Sequence, residues 1–215
     1  MENRIKIYNR IAAIVIFMAL PLCIYFQGNF PRRTLLKEAI SILTIMAFFM
    51  MLMQFYLSRA NRNLLQVHKM GRTIKWHKVL GYVFVSVLLI HPILIVVPRF
   101  FEAGISPTDA FIELLSNFNQ TGLLLGLIAW ILMFIIGLTS LFRNKLPFSY
   151  KTWREIHGIL AVAFILTASF HVVNMGRHIN KPMAWLIGAL SVLGVVLLLR
   201  ISVFKSVSQK INEHA

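Results

Sequence analysis

The sequence predicts an all-α fold, a polytopic membrane bundle of six helices, and three observations support this prediction. Hydrophobic residues make up 58% of the 215 positions and charged residues only 13%, which leaves too little polar surface for a water-soluble domain. The apolar residues fall into six long runs, and about 20 apolar residues let a helix cross the hydrocarbon core of a bilayer. Basic residues cluster at the ends of these runs, where they orient a membrane protein.

We expect residues 1–215 to form a single transmembrane domain whose six helices follow the apolar runs. The first run follows a basic start, as a signal-peptide core does, but no cleavage site clearly follows it, so we interpret it as a retained helix. After the third run, Ser106 and Pro107 can cap and start a short amphipathic helix on the outer surface. The predicted helices lie at about residues 11–27, 37–57, 77–98, 122–142, 155–174 and 183–204.

The net charge of +15 does not indicate nucleic-acid binding, because the basic residues stand at the ends of membrane segments. Most of them occur in the N-terminus, the second and fourth connections and the C-terminal tail. The third connection instead holds Glu102, Asp109 and Glu113. The positive-inside rule therefore predicts that both termini are cytoplasmic, in a plasma or inner membrane whose lipid bilayer surrounds the chain.

Four histidines lie in or at the edge of the apolar runs. His77 and His91 belong to the third predicted helix, and His157 and His171 belong to the fifth; both pairs are separated by 14 residues. At about 100° per residue, the two histidines of each helix are only about 40° apart around the axis. They are also about 21 Å apart along it. Each helix therefore presents two histidines on one face, near opposite sides of the membrane.

The third and fifth helices should run in the same direction, so that His77 lies at the depth of His157 and His91 at the depth of His171. Two histidines facing each other at one depth can supply both axial ligands of a heme iron. The spacing therefore predicts two b-type hemes, one above the other, between the third and fifth helices. In this interpretation all four histidines are iron ligands.

Residues near the histidines agree with this prediction. Gly81 and Ala161 each follow the inner histidine by four residues, and their small size would leave room for a porphyrin. Phe84 and Phe164 each follow it by seven residues and would fill the space between the two macrocycles, although phenylalanine is also common helix filler. Pro92 should kink the third helix and free a carbonyl near its outer end.

Other interpretations of the histidines are weaker. One intramembrane histidine can simply hydrogen-bond across helices, but two equally spaced pairs of such costly side chains favour a function. A different metal site lacks neighbouring carboxylates or thiolates, and a proton relay lacks an acidic residue at mid-membrane. We expect surface roles for His68, His178 and His214, and we interpret Met46, Met50, Met51 and Met53 as lipid-facing or core filler, not a copper path.

Three sequence patterns resemble the ferric reductase-like transmembrane domain. Trp76-His77-Lys78-Val79-Leu80-Gly81, followed by His91, resembles its third-helix pattern. Tyr150, Trp153 and Ile156-His157, followed by His171, resemble its fifth-helix pattern. Leu138-Thr139-Ser140 with Arg143 resembles the end of its fourth helix, and the resemblance covers roughly residues 36–200. This superfamily includes ferric reductases, NADPH oxidases and the heme-binding membrane subunit of the periplasmic methionine sulfoxide reductase system.

The resemblance implies that the chain passes electrons from a cytoplasmic flavin, through two b-hemes held by the same four histidines, to an acceptor across the membrane. Because the C-terminal tail is too short for flavin and nicotinamide domains, we expect a separate flavoprotein reductase or a longer parent protein. The chain would then be the membrane cytochrome subunit of an oxidoreductase. A quinone-linked cytochrome b subunit and a non-redox scaffold or transporter remain alternatives, and the acceptor can be ferric iron, oxygen, a quinone or a protein.

Overall fold

The computed structural model of the chain describes residues 2–31, 33–116 and 119–213, and this described part is helical without a β-strand. His214, for which a surface role is expected from the sequence, lies outside it. The elements in chain order are α1 (Glu2–Ile14), a π-helical turn (Val15–Ala19), α2 (Leu20–Gln27), α3 (Leu35–Tyr56), α4 (Arg62–Val67), α5 (Met70–Ala103), α6 (Pro107–Ser116), α7 (Thr121–Leu141), a 3₁₀ turn (Arg143–Lys145), α8 (Tyr150–Met175) and α9 (Lys181–Glu213).

Six helical stretches of the described part are long and apolar enough to cross a membrane, which confirms the predicted all-α class and the six segments. The third begins earlier than predicted, at Met70, and continues through Pro92 and Pro98 to Ala103. The short helix α4 in the second connection was not predicted. The six stretches are Asn3–Gln27, Leu35–Tyr56, Met70–Ala103, Thr121–Leu141, Tyr150–Met175 and Lys181–Arg200.

Five of these helices form a closed ring. Going around it, α3 packs on α5, α5 on α7, α7 on α8, α8 on α9, and α9 returns to α3. The first stretch, made of α1, the π-helical turn and α2, lies outside the ring against α3 and α9. Because α5 and α8 are not neighbours in the ring, they face each other across its interior.

Helix α3 is the most enclosed element, because the first stretch, α5 and α9 surround it. All residues of the stretch 47–55 are buried. Met50, Met51 and Met53 belong to this stretch, so the interpretation of these methionines as core filler is confirmed. One polar residue, Gln54, lies among them and is 8% exposed.

Proline residues within α5 interrupt its hydrogen-bonding pattern. Pro92 has no N–H group, so the carbonyl of Leu88 lacks its usual helical donor, as the sequence predicts. The indole N–H of Trp130 on α7 donates to the carbonyl of the next residue, Leu89, at 3.0 Å. This bond ties α7 to α5 near the middle of the bundle.

The connection between α5 and α7 contains the predicted short helix, α6. The Ser106 hydroxyl oxygen accepts a hydrogen bond from the Asp109 N–H at 3.1 Å, and Pro107 occupies the first position of the helix. A salt bridge of 2.8 Å between Arg99 and Glu113 then ties α6 back to the end of α5. The helix therefore lies across one end of the ring.

Candidate functional site

Two of the four predicted histidines face each other across the interior of the ring. The imidazole centres of His77 on α5 and His157 on α8 are 6.4 Å apart, and the ring planes are inclined by 66°. Metal–imidazole bonds are about 2.0–2.1 Å and a ring nitrogen lies roughly 1.2 Å from the ring centre, so two imidazoles sharing one metal ion have centres about 6.5 Å apart. This first histidine pair (His77 and His157) therefore has the separation of two axial ligands.

The second histidine pair, His91 and His171, lies 14 residues further along the same two helices. The two side chains are close enough to interact electrostatically. The structure thus brings the four histidines together in the pairs that the sequence predicts, and α5 and α8 run in the same direction.

The proton position on His171 follows from its hydrogen bond. Its Nδ1 lies 2.8 Å from the carbonyl oxygen of Gly122 on α7, and because a carbonyl only accepts, Nδ1–H is the donor. The lone pair of the neutral ring then resides on Nε2. An Nδ1–H bond to a backbone carbonyl is a common way to orient a histidine whose Nε2 binds a metal.

Two glycines allow α7 to approach α8 at this level. A Cβ on Gly126 would lie 2.3 Å from Nδ1 of His171, and a Cβ on Gly122 would lie 2.7 Å from Cγ of Met175. Small residues four apart commonly mark close contacts between membrane helices. This contact was not predicted, although the Gly122-x-x-x-Gly126 pattern within an apolar run is its signal in the sequence.

On α8, His157 also has a polar neighbour from α7. Its Nδ1 lies 3.3 Å from the hydroxyl oxygen of Ser140, which can accept the Nδ1–H bond. The indole N–H of Trp153 donates to the carbonyl of Thr139 at 3.1 Å, and the Trp153 ring centre is 5.1 Å from that of His157. The end of α7 therefore positions His157 through two consecutive residues, Thr139 and Ser140.

A series of aromatic rings leads from the first histidine pair to the protein surface. Trp153 stacks on Tyr150 with ring centres 5.8 Å apart. The guanidinium groups of Arg59 and Arg143 lie 5.4 Å and 4.8 Å from the Tyr150 ring centre, within the range of cation–π attraction. Tyr150 is exposed, so the series connects the histidines to a basic surface.

The histidines of α5 differ from those of α8. The Nδ1 atoms of His77 and His91 are buried and have no hydrogen-bond partner among the described residues. Buried polar atoms are rarely left unpaired in native proteins. The α5 side of the site therefore retains unused hydrogen-bonding capacity.

The residues expected to flank a cofactor occupy suitable positions. At Gly81 the nearest described atom to a hypothetical Cβ is Oε1 of Gln54, 3.8 Å away, so this part of α5 has free space. Phe164 is buried in the core at 4% exposure, while Phe84 and Ala161 are partly buried against that core.

The donor set suits a heme better than a bare metal ion. Among the described residues, no group of three or more histidine, cysteine, aspartate or glutamate side chains could hold a metal. A tetrahedral or octahedral ion needs more protein ligands than a pair of histidines provides. A heme supplies four nitrogens to its iron and leaves two further ligand positions, which each histidine pair would fill.

A cavity of about 160 Å³ lies beyond the second histidine pair, beneath α6. Ile95 and Met175 follow His91 and His171 by one helical turn and contribute to its wall. The wall is mainly apolar, with the salt bridge between Arg99 and Glu113 as its charged part. The lining residues are Ile95, Val96, Arg99, Ala110, Glu113, Leu123 and Met175.

The expectation of a surface role for His178 is wrong, because its side chain is only 4% exposed. Its ring lies 4.6 Å from that of Tyr25 and 4.9 Å from that of Phe30, measured between centres. Burial lowers the pKa of His178 and nearby Arg33 lowers it further, whereas Glu38 opposes this shift. Glu38 lies 3.8 Å away, so a polar cluster joins the loop before α9 to α2 and α3.

Comparisons with known proteins give two matches. The family described as "Ferric reductase like transmembrane component" matches residues 43–168, a region that contains His77, His91 and His157 and ends just before His171. An "Uncharacterized protein" of Archaeoglobus fulgidus is 38% identical over 162 residues, which are 75% of this chain and 88% of the relative. No solved structure matches the chain.

Proposed function

Because this chain belongs to the ferric reductase-like transmembrane component family, whose members generally bind heme, we propose that it transfers electrons across a membrane through two stacked b-type hemes. The family and the six apolar helices of membrane-spanning length indicate that the chain is an integral membrane protein. The observation that carries the proposal is the 6.4 Å separation of the His77 and His157 rings, which lie on different helices. That separation suits two axial ligands of one iron.

In this proposal the first histidine pair holds one heme and the second pair, His91 and His171, holds the other. Gly81 would leave room for a porphyrin, and Phe84 and Phe164 would lie between the two macrocycles. A bound heme supplies a one-electron carrier at each level. The protein contributes ligand orientation, through the bonds from His157 and His171 to α7, and an apolar surrounding that tunes the reduction potential.

Electrons enter, we propose, from the cytoplasmic side. Following the positive-inside rule, we expect the first histidine pair, the exposed Tyr150 and both termini on that side. The membrane in this proposal is a plasma or inner membrane. The partner is a flavoprotein reductase that supplies the flavin. Its acidic surface would meet Arg59 and Arg143, and electrostatic complementarity of this kind speeds association.

Electrons leave at the opposite side, where the cavity beneath α6 lies beyond the second histidine pair. The mainly apolar wall of this cavity fits a small acceptor, and the Arg99–Glu113 salt bridge forms the charged part of the wall. The chain itself then provides the path across the membrane as a cytochrome subunit, without a catalytic residue. The acceptor chemistry belongs to whatever molecule meets the outer heme.

The test begins with heme content and a reduced-minus-oxidised spectrum of the full chain, purified from cells supplied with heme precursor. We expect two b-type hemes per chain. His77→Ala and His157→Ala should each remove one heme, His91→Ala and His171→Ala the other, while His178→Asn should keep both. A heme-free wild type would contradict the proposal, and four histidine variants with unchanged heme content would contradict the ligand assignment.

A further inference from the structure

The side chain of Gln54 has an unused hydrogen-bond acceptor in the interior of the bundle. Its Nε2 donates to the carbonyl of Met50 at 3.3 Å. Its Oε1 is buried and has no donor among the described residues. An unpaired carbonyl oxygen in an apolar interior is unfavourable, so this oxygen is a candidate for a partner that appears only in the functional state.

Gln54 lies beside the first histidine pair. Its Oε1 is 3.8 Å from the position of a Cβ on Gly81, which follows His77 by about one turn on the same face of α5. The backbone carbonyl of Gln54 also faces the His77 ring. Both oxygens of this residue therefore lie on the side of α3 that faces α5, close to His77, whose buried Nδ1 has no hydrogen-bond partner in the part of the chain that the structure describes.

The histidines of α8 illustrate how a neighbouring helix can engage the Nδ1 atom of a proposed ligand. His171 uses Nδ1 to bond the Gly122 carbonyl at 2.8 Å, and His157 has the Ser140 hydroxyl oxygen 3.3 Å from its Nδ1. In both cases a neighbouring helix engages Nδ1 and leaves Nε2 for a ligand bond. His77 lies beside α3 instead of α7, and Gln54 is the polar residue of α3 at this position.

We propose that Gln54 is the positioning residue of His77 and that its side-chain oxygen accepts the Nδ1–H bond when Nε2 binds iron. The inference rests on the proposed function. A metal at Nε2 fixes the proton on Nδ1, so ligand binding creates the donor that Oε1 lacks. The bond pairs two buried atoms at once and orients the imidazole toward His157.

This role has an electronic consequence that packing alone lacks. An acceptor at Nδ1 raises the basicity of a histidine ligand, and a stronger acceptor raises it more. Greater basicity favours the oxidised iron. Gln54→Glu should therefore lower the reduction potential of one heme, and Gln54→Leu should raise it, while the other heme remains unchanged.

The experiment uses the full chain loaded with heme, with Thr44→Val as the matched control. Thr44 is also on α3, but its hydroxyl bonds the carbonyls of Ile40 and Ser41 within the same helix. Redox titration measures both potentials, and transfer to apomyoglobin measures heme release. We expect Gln54→Leu to release one heme about 10- to 100-fold faster, and Thr44→Val to behave as the wild type.

Opposite potential shifts in Gln54→Glu and Gln54→Leu would support the inference. Shifts in the same direction, or values equal to those of Thr44→Val, would overturn it. If Gln54→Leu does not fold, Gln54→Asn replaces it as the variant whose shorter side chain cannot reach His77. A wild type that binds two hemes with both variants unchanged rejects only the role of Gln54, whereas a heme-free wild type rejects the proposed function.

Discussion

The imidazole of His171 lies directly against the backbone of Gly126, at a position where a Cβ would be 2.3 Å from Nδ1. No side chain larger than hydrogen fits there unless α7 and α8 separate or the ring moves. The bond between His171 and the Gly122 carbonyl depends on the same close approach. The orientation of one proposed heme ligand is thus determined by two glycines on a neighbouring helix.

Gly126→Ala should therefore reduce the heme bound by the second histidine pair. The added methyl group displaces His171, so we expect about 10-fold weaker binding of that heme, as when a hydrogen bond that orients a metal ligand is lost. Gly188→Ala is the matched control, because a Cβ there meets no described atom within 4 Å. Heme content and heme release measure the effect, and equal values for the two variants would contradict this contact.

Loss of the arginines around Tyr150 should slow reduction by an acidic flavoprotein. With Arg59→Gln and Arg143→Gln combined, we expect the second-order rate of reduction by reduced flavodoxin to fall about 10-fold at low salt. The difference should shrink as salt rises, because the interaction is screened. Stopped-flow absorbance at the heme band measures this rate of reduction. Arg177→Gln, at the other end of the bundle, is the control. A loss of rate that is independent of salt would argue against docking.

Filling the cavity beneath α6 should slow the exit of electrons. Ala110 is fully buried and lines this cavity, so Ala110→Leu would occupy part of its volume. We expect slower reoxidation of reduced protein by a small soluble acceptor such as ferricyanide, with two hemes retained. Ile112→Leu changes an exposed residue of the same helix and should leave the rate unchanged. Normal reoxidation of the Ala110→Leu variant would place the exit elsewhere.

His178 should make the stability of the protein depend on pH. Burial and Arg33 lower its folded-state pKa, and Arg177 acts in the same direction, while Glu38 opposes them. The unfolded state then binds more protons, so stability rises with pH. It falls as pH drops below the unfolded value of about 6.5 and levels off below the folded pKa.

Thermal unfolding in detergent between pH 5 and pH 8 tests this dependence. His178→Asn removes this titrating group and should flatten the profile in the acidic range. A wild-type profile that is more stable at pH 5 than at pH 8 would show that Glu38 outweighs burial and the arginines.

The sequence determined the features that belong to single helices. Hydropathy alone located six membrane-length segments, because each apolar run must cover the bilayer core by itself. The spacing of 14 residues placed His77 with His91, and His157 with His171, on single helix faces, because helical periodicity is local. The motifs around these histidines also indicated the family.

Only the tertiary structure decided which side chains from different helices meet. The ring order of the helices puts Gly122 and Gly126 against His171, Ser140 beside His157 and Gln54 beside Gly81. It also buries His178, a loop residue that the local sequence predicts to lie on the surface. These contacts join residues far apart in the chain, so they depend on how whole helices pack and not on the periodicity of any one segment. The four histidines were visible in the sequence because each helix carries its own pair, whereas the groups that orient them lie on neighbouring helices.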